Sequence, residues 1–134
     1  MAKTPKAKFK LGDRPEAFPI IKVAFKTNRG QDAEIEAVFE YRTREEFGAF
    51  VAEQFSSDGT ELPRTTDGQI DFEAMAKRST SNDATYLKGA LKSWDLEDDL
   101  SVKSLQQLCN EQPAAMVALK QAYANACNEG RLGN

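Results

Sequence analysis

The spacing of apolar residues changes its period at Thr43, and this change constrains the fold more than any other feature of the chain. Before Thr43, apolar and polar residues alternate in two runs, which is typical of β-strands that cover one face. After Thr43, apolar residues recur every three or four positions, which is typical of helices. The sequence therefore predicts an α+β fold: an N-terminal antiparallel β-hairpin packed on a C-terminal helical bundle of four to five helices.

The two alternating runs predict strands near residues 19–27 and 33–41, joined by the turn-forming segment 28–32. One face of the two runs is apolar and carries Ile21, Val23, Phe25, Ile35, Ala37, Phe39 and Tyr41. The opposite face carries lysines in the first run and glutamates in the second, which can pair across the strands. A hairpin of this kind is marginally stable alone, so another element must cover its apolar face.

The segment Thr43–Glu46 has the sequence of a capping box and predicts the start of the first helix. Helical spacing follows at Phe47, Phe50, Val51, Gln54 and Phe55. We expect this helix to cover the hairpin.

After it, residues 56–70 are polar and predict a long loop.

Beyond the loop, the sequence predicts two separate helices. Phe72, Met75 and Ala76 mark a short helix, and residues 79–83 are expected to break it, with Asn82 as the cap of the next helix. The face of that next helix is expected to carry Ala84, Leu87, Ala90, Leu91 and Trp94.

The C-terminal forty residues predict two more helices. An acidic connector, Asp95–Asp99, comes first, and Ser101 is expected to cap the helix that follows it. The inward residues of that helix are expected to be Val102, Leu105, Leu108 and Cys109. Pro113 suits the first turn of a final helix, and Gly130 suits its end.

The composition predicts one soluble domain behind a flexible arm. Residues 1–15 contain several lysines, and we refer to them as the basic arm; residues 16–134 are expected to form a single α+β domain, with the hairpin at about 19–41 and helices over about 44–130. The net charge of −3 and the lack of an aromatic ladder in the arm argue against nucleic acid as a partner. No apolar stretch is long enough to cross a bilayer, so we expect a cytoplasmic protein without a membrane partner.

The residue content argues against an enzyme and against a metal or cofactor site. The chain has no histidine and two cysteines, so histidine-based catalysis and a tetrahedral zinc site lack their residues. The segment 67–72 resembles the second half of a calcium-binding loop, but Pro63 and Ala74 occupy ligand positions. We interpret it as an Asp-Gly turn followed by an Asp71 N-cap.

The C-terminal part resembles the tail assembly chaperones of long-tailed bacteriophages. The matching features are the Trp94-Asp-Leu96 step, the Leu105-Gln-Gln-Leu108 helix and the helix from Pro113 through Tyr123. The resemblance implies a non-enzymatic protein that coats the tape measure protein, keeps it soluble and recruits tail tube subunits. It also implies the major tail protein as a second partner.

The expected partner-binding residues lie in the C-terminal half and are Trp94, Leu105, Leu108, Met116, Leu119 and Tyr123. Met116, Leu119, Tyr123 and Cys127 form one stripe of the final helix, so we expect helical partners, including further copies of this chain, to bind there. Two other classes of function remain open at this point: a structural component of the tail or of the head–tail joint, and a small regulatory binding module.

Overall fold

The computed structural model describes residues 6–56 and 61–133, except for the side chains of Phe55 and Ser56. Residues 1–5 of the basic arm, residues 57–60 of the expected loop and the expected inward position of Phe55 therefore lie outside the described residues. In the described residues, the chain forms β1 (Ile21–Lys26), β2 (Asp32–Phe39), α1 (Arg44–Ser56), α2 (Phe72–Ala90), β3 (Leu91–Trp94), α3 (Val102–Glu111) and α4 (Pro113–Glu129). The predicted α+β class is confirmed.

The hairpin forms where the sequence predicts it. β1 and β2 pair antiparallel, with Ile21 opposite Ala37 and Lys26 opposite Asp32. Gly30, with a φ of 74°, closes the turn through the bond from its N–H to the Thr27 carbonyl, 2.9 Å long. The strand order is β1-β2-β3, so β1 is an edge of the sheet and β2 is its centre.

The third strand was not expected, and the prediction that a helix continues to Trp94 is wrong. The helix ends at Ala90, and β3 pairs with the side of β2 that β1 leaves open. This pairing satisfies the backbone groups of β2, which would otherwise lack partners. Leu91 lies opposite Phe39 and Trp94 opposite Ala37, with an irregular register between them. Because of this bulge, residues three apart share the inner face, and that spacing imitates a helix.

The expected break at residues 79–83 is also wrong, because α2 runs unbroken from Phe72 to Ala90. Serine, threonine and asparagine cost at most about 0.7 kcal/mol each in a helix, a penalty that packing readily outweighs. Within the segment, Asp83 forms an ion pair with Lys120 of α4, 2.5 Å long. Burial of the next turns also supports α2, since Ala84, Leu87 and Ala90 are buried.

The helix that lies against the hairpin is α4, not α1 as expected. α4 packs on β1, and α1 packs in turn on α4. The core between these layers is made of Ile21, Val23, Ile35, Ala37, Phe39, Phe47, Phe50, Ala84, Leu87, Ala90, Leu91, Leu105, Cys109, Ala115, Leu119, Tyr123, Ala126 and Cys127. The small alanines of α4 allow it to approach the sheet closely, which the larger side chains of α1 would prevent.

The helix ends follow the sequence closely. Thr43 and Glu46 form the predicted capping box, in which the Thr43 N–H donates to Glu46 over 2.9 Å. Ser101 caps α3, Pro113 begins α4, and Gly130 ends it in the left-handed region with a φ of 68°. The exception is Val102, which was expected to face inward. It is the first residue of α3 and is 43% exposed, and burial begins one turn later at Leu105.

Replacing Gly48 or Gly89, which lie within helices, by alanine should change the stability of the protein in opposite directions. A Cβ on Gly89 would lie 2.7 Å from the buried ring of Phe50, whereas a Cβ on Gly48 would meet nothing within 4 Å. We expect Gly89→Ala to lower the free energy of unfolding by about 1–2 kcal/mol through overpacking. The control, Gly48→Ala, should raise it by about 0.5–1 kcal/mol. Urea denaturation measures both, and equal effects of the two changes would contradict the close packing.

Candidate partner-binding surface

Tyr123 of α4 lies at the centre of an aromatic cluster that joins the sheet to α1. Its ring stacks on Phe39 of β2 with 5.1 Å between centroids. Phe47 and Phe50 of α1 approach the same ring edge-on, at 5.5 Å and 6.1 Å. These geometries are the favourable ones for aromatic pairs. Tyr123 is fully buried, so the cluster is part of the core.

The hydroxyl of Tyr123 is held by two polar groups from the segment after β2. It donates to the Glu40 carbonyl over 3.0 Å and accepts from the Arg42 guanidinium over 2.7 Å. Arg42 also donates to the Gly89 carbonyl over 2.9 Å, and its guanidinium stacks 4.0 Å above the Phe50 ring. Burial raises the pKa of Tyr123 far above its ordinary value, so the hydroxyl keeps its proton.

The predicted site residues divide into two groups. Leu105, Leu119 and Tyr123 have no exposed surface and lie in the core, where no partner can contact them in this conformation. Trp94, Leu108 and Met116 are half-buried and lie at the surface of the core. The face of α4 that carries Leu119 and Tyr123 covers β1, so these two residues are part of the core, whereas Met116 of the same predicted stripe is only half-buried.

An open apolar groove of about 820 Å³ lies between α1, α2 and α4, on the side of α4 away from the sheet. Its apolar wall is formed by Phe47, Val51, Met75, Tyr86, Met116, Val117 and Ala124. Val117 is 58% exposed, which is a large exposure for a valine in the middle of a helix. Of the predicted partner-binding residues, Met116 lines this groove. The contribution of α2 to the groove does not follow from the sequence, because the expected break at residues 79–83 places Met75 and Tyr86 on two separate helices.

The rim of the groove is polar and carries both signs of charge. The Asp83–Lys120 ion pair lies along it, and the Lys120 ammonium is 4.8 Å from the centre of the Tyr86 ring. Arg78 of α2 also lines the groove and donates to the Glu61 carbonyl over 3.0 Å. Tyr86 is neutral at physiological pH, and burial raises its pKa further, to about 12.

A second, smaller pocket lies between the acidic connector and α3. It has a volume of about 150 Å³, and we refer to it as the tryptophan pocket. Trp94, Leu96 and Leu108 supply its apolar surface, and Asp98 and Glu111 supply carboxylates. The Trp94 indole N–H donates to the Asp98 carbonyl over 2.8 Å, which fixes the ring beside the connector. This pocket brings together Trp94 and Leu108 of the predicted residues.

In the described part of the chain, the cysteines and carboxylates form no group that could hold a metal ion. Cys109 and Cys127 are free and buried, and burial raises the pKa of Cys109 to about 11. Within residues 6–56 and 61–133, no three His, Cys, Asp or Glu side chains are placed to hold a metal ion. In the same ranges, no helix has the length and apolar character needed to cross a bilayer.

The segment that resembles a calcium loop forms the alternative structure that we inferred for it. Gly68 has a φ of 84°, and its N–H donates to the Thr65 carbonyl over 3.0 Å, closing an Asp-Gly turn. Thr65 and Asp67 hydrogen-bond to each other through their side chains. Asp71 caps α2 by accepting from the Ala74 N–H over 3.0 Å.

The geometry thus describes a small α+β protein with an open apolar groove between its helices. A family model described as phage tail assembly chaperone matches residues 1–134, the whole chain. The protein belongs to the phage tail assembly chaperone family. This confirms the resemblance that Trp94-Asp-Leu96 and the last two helices indicate. Searches among curated proteins and among solved structures find no significant match.

Removal of the Tyr123 hydroxyl should destabilise the fold. In Tyr123→Phe, the Glu40 carbonyl loses its bond and Arg42 keeps only its bond to Gly89, so we expect a loss of about 1–3 kcal/mol of unfolding free energy. Tyr86→Phe is the matched control, because the structure gives the Tyr86 hydroxyl no hydrogen bond with the described residues, and it should cost less than about 0.5 kcal/mol. Chemical denaturation measures both, and equal losses would refute the role of Arg42.

The raised pKa of Tyr123 also predicts how stability depends on pH. Above its ordinary pKa of about 10, the unfolded chain releases this proton and the folded protein keeps it, so stability falls as pH rises. The loss is at most about 1.4 kcal/mol per pH unit for one tyrosine. Tyr123→Phe lacks this proton, so the stability gap between the two proteins should narrow from pH 10 towards pH 11. A constant gap in urea denaturation would contradict the burial of Tyr123. Tyr86 titrates alike in both proteins and cancels.

Proposed function

We propose that this protein is a non-enzymatic chaperone that binds the tape measure protein and keeps it soluble while tail tube subunits are recruited. The observation that carries the proposal is the open apolar groove between α1, α2 and α4, in a chain of the tail assembly chaperone family. The proposed place of action is the host cytoplasm, before the tail is complete.

The dimensions and surface of the groove suit an amphipathic helix. α4 has 17 residues and is therefore about 25 Å long, so it can line several turns of a partner helix. A helix in such a groove inserts apolar side chains at positions i, i+3, i+4 and i+7. Each fully buried apolar side chain contributes about 1.5–3 kcal/mol, so two or three anchors are enough for a measurable affinity after the cost of association.

The side chains of the groove favour a partner with many similar but unequal segments. Met75 and Met116 lie on opposite walls, and a thioether chain repacks around different shapes at little cost. Surfaces rich in methionine are typical of binding sites that accept several sequences. A long tape measure chain with many apolar helical segments is a partner of this kind, according to the family resemblance.

The rim of the groove adds a preference for orientation. Arg78 and the Asp83–Lys120 pair line it, so the charged groups at the groove have a net charge of +1. We expect a bound helix to place carboxylates beside Arg78 and Lys120 and its apolar stripe beneath them. Because Lys120 is already paired with Asp83, the rim contributes orientation more than affinity.

A charge placed in the groove should abolish the chaperone activity without unfolding the protein. Val117→Glu puts a carboxylate on the exposed valine of the wall, where a bound partner would bury it. On co-expression with the tape measure protein from the same phage, we expect the soluble amount of that protein to fall at least about tenfold, equivalent to about 1.4 kcal/mol. The measurement is the ratio of soluble to total tape measure protein.

Val102→Glu is the matched control, because Val102 is also an exposed helical valine and does not line the groove. It should solubilise the tape measure protein as well as the wild type does. Asp substitutions at Leu119 or Tyr123 would not be informative, because both side chains lie in the core. If Val117→Glu is folded and fully active, the groove is not the binding site. If the wild type does not solubilise the partner, or remains in purified virions, the chaperone role is wrong.

A further inference from the structure

The outer edge of β1 is an uninterrupted row of backbone groups beside which no described strand lies. β1 has β2 as its one neighbour in the sheet, and the pairing of Ile21–Lys26 with β2 contains no bulge. The chain before β1 passes to the opposite side of the sheet, where Glu16 forms an ion pair of 3.3 Å with Lys92 of β3. α4 packs on the face of β1 that carries the buried Ile21 and Val23 and leaves the edge itself open.

The direction of the edge groups follows from the pairing with β2. The Thr27 N–H donates to the Gln31 carbonyl over 2.9 Å, so these two residues form a hydrogen-bonded pair. Bonded and non-bonded pairs alternate along antiparallel strands. The Glu36 N–H agrees with this alternation, because it points away from β1 and donates to the Asp95 carboxylate over 2.9 Å. The residues of β1 that direct their N–H and C=O groups to the free edge are therefore Lys22, Ala24 and Lys26.

The side chains of these three residues form a basic row on the exposed face of the sheet. Lys26 reaches across one strand spacing to Asp32 of β2, with 2.6 Å between the ammonium and the carboxylate. Lys22 forms no ion pair with the described residues, although Glu36 lies opposite it. A strand added at the free edge lies at the same spacing as β2, about 4.8 Å from β1. Both lysines can therefore reach a carboxylate on such a strand.

β2 shows which kind of strand this row accepts. The residues of β2 opposite Lys22, Ala24 and Lys26 are Glu36, Glu34 and Asp32. The residues of β2 between these carboxylates are apolar and turn towards the core. The inner row of β1 ends at Phe25, which is half-buried, so an apolar side chain at the free edge covers more of its ring. A segment that alternates carboxylates with apolar residues is thus complementary to both rows.

The basic arm of the protein does not fit this edge. Residues 6–11, Lys-Ala-Lys-Phe-Lys-Leu, alternate as a strand does, but in one register their lysines lie beside Lys22 and Lys26. Like charges on neighbouring strands are unfavourable. A slip by one residue places the lysines beside the apolar inner row instead, which is no better. The lysines of β1 therefore select among strands by charge, and the class that they admit is acidic.

We propose that the free edge of β1 binds an extended acidic segment of a partner protein, which adds to the sheet as a fourth strand. The segment carries two carboxylates four positions apart, opposite Lys22 and Lys26, with apolar residues at the second and fourth of its five positions. Hydrogen bonds to the three edge residues supply affinity, and the two carboxylates supply specificity. This site is distinct from the groove, which accepts a helix, and it does not depend on the function proposed for the groove.

Amide shifts of the isotope-labelled full chain, recorded during titration with a synthetic peptide, test the proposal. The probe is the acetylated and amidated peptide Ser-Glu-Val-Thr-Val-Glu-Ser, and the control peptide has lysine in place of both glutamates. With the probe, the amides of Lys22, Ala24 and Lys26 should move downfield as they gain hydrogen bonds. The amides of Ile21 and Val23, which already bond to β2, should move less.

The charge of the peptide should decide its affinity. The lysine peptide should bind at least about tenfold more weakly than the probe at about 0.05 M NaCl. The difference should shrink at about 0.5 M NaCl, because salt screens exposed charges.

The backbone of Ala24 provides a matched pair of variants. Ala24→Pro removes the middle edge N–H, and proline is tolerated where a strand N–H faces solvent, so this variant should fold and lose binding at least about tenfold. Ala24→Thr keeps the N–H and should bind the probe as the wild type does. Val117→Glu, which alters the groove, should also bind the probe normally, so the two sites can fail separately.

Reversal of the edge charges tests the proposal without a change in the backbone. Lys22→Glu/Lys26→Glu gives up the ion pair with Asp32, but both partners of that pair are largely exposed, so the fold should tolerate the loss. This variant should prefer the lysine peptide to the probe. Its circular dichroism spectrum, and that of each other variant, must match the wild type.

Four results would overturn the proposal. The first is a wild type without amide shifts at up to about 2 mM probe. The second is equal affinity for the two peptides, or a charge-reversed variant that still prefers the acidic one. The third is a set of shifts centred on the groove rather than on the edge of β1. The fourth is a shift of the edge amides with protein concentration alone, because a second copy would then occupy the edge.

Discussion

The rest of the structure depends on the partly buried hydrogen bond between Tyr123 and Arg42. It joins four segments that are distant in sequence: α4 through Tyr123, the end of the hairpin through Glu40, α1 through Phe50 and the end of α2 through Gly89. The half-buried Arg42 guanidinium makes two hydrogen bonds and lies near two aromatic rings, 4.0 Å from the centre of Phe50 and 6.0 Å from that of Tyr123, so its charge is well satisfied. The bond also helps to fix the direction of α4, since the Tyr123 ring stacks on Phe39 and its hydroxyl bonds to the carbonyl of the next residue, Glu40.

The parts of the fold that the sequence predicts well are those with a local cause. The hairpin follows from alternation and from the turn at Gly30, and the helix ends follow from Thr43, Ser101, Pro113 and Gly130. In each case the residue satisfies a backbone group or supplies a backbone angle within a few positions of itself. Such causes can be identified without knowledge of the tertiary structure.

The predictions that were wrong concern features that are caused by contacts distant in sequence. β3 exists because β2 has a second edge to satisfy, and its bulge gives Leu91 and Trp94 a helical spacing. α2 is continuous because Asp83 meets Lys120 of α4 and because its later turns are buried. The prediction of the binding residues was partly wrong for the same reason. An apolar stripe predicts that a helix face is buried. It does not show whether the face is buried in the core of the same chain or by a binding partner. Tyr123 and Leu119 proved to be core, and the accessible groove uses Val117 and residues of α2.

The position of β1 at the edge of the sheet has a consequence for behaviour in a crowded cell. An open strand edge can pair with a strand of another molecule, which leads to aggregation. A second β1 in antiparallel register about Ala24 would bring Lys22 opposite Lys26 twice, and like charges in direct opposition are unfavourable. In that register, the lysines that lie opposite Glu36 and Asp32 within the sheet therefore disfavour pairing at its edge.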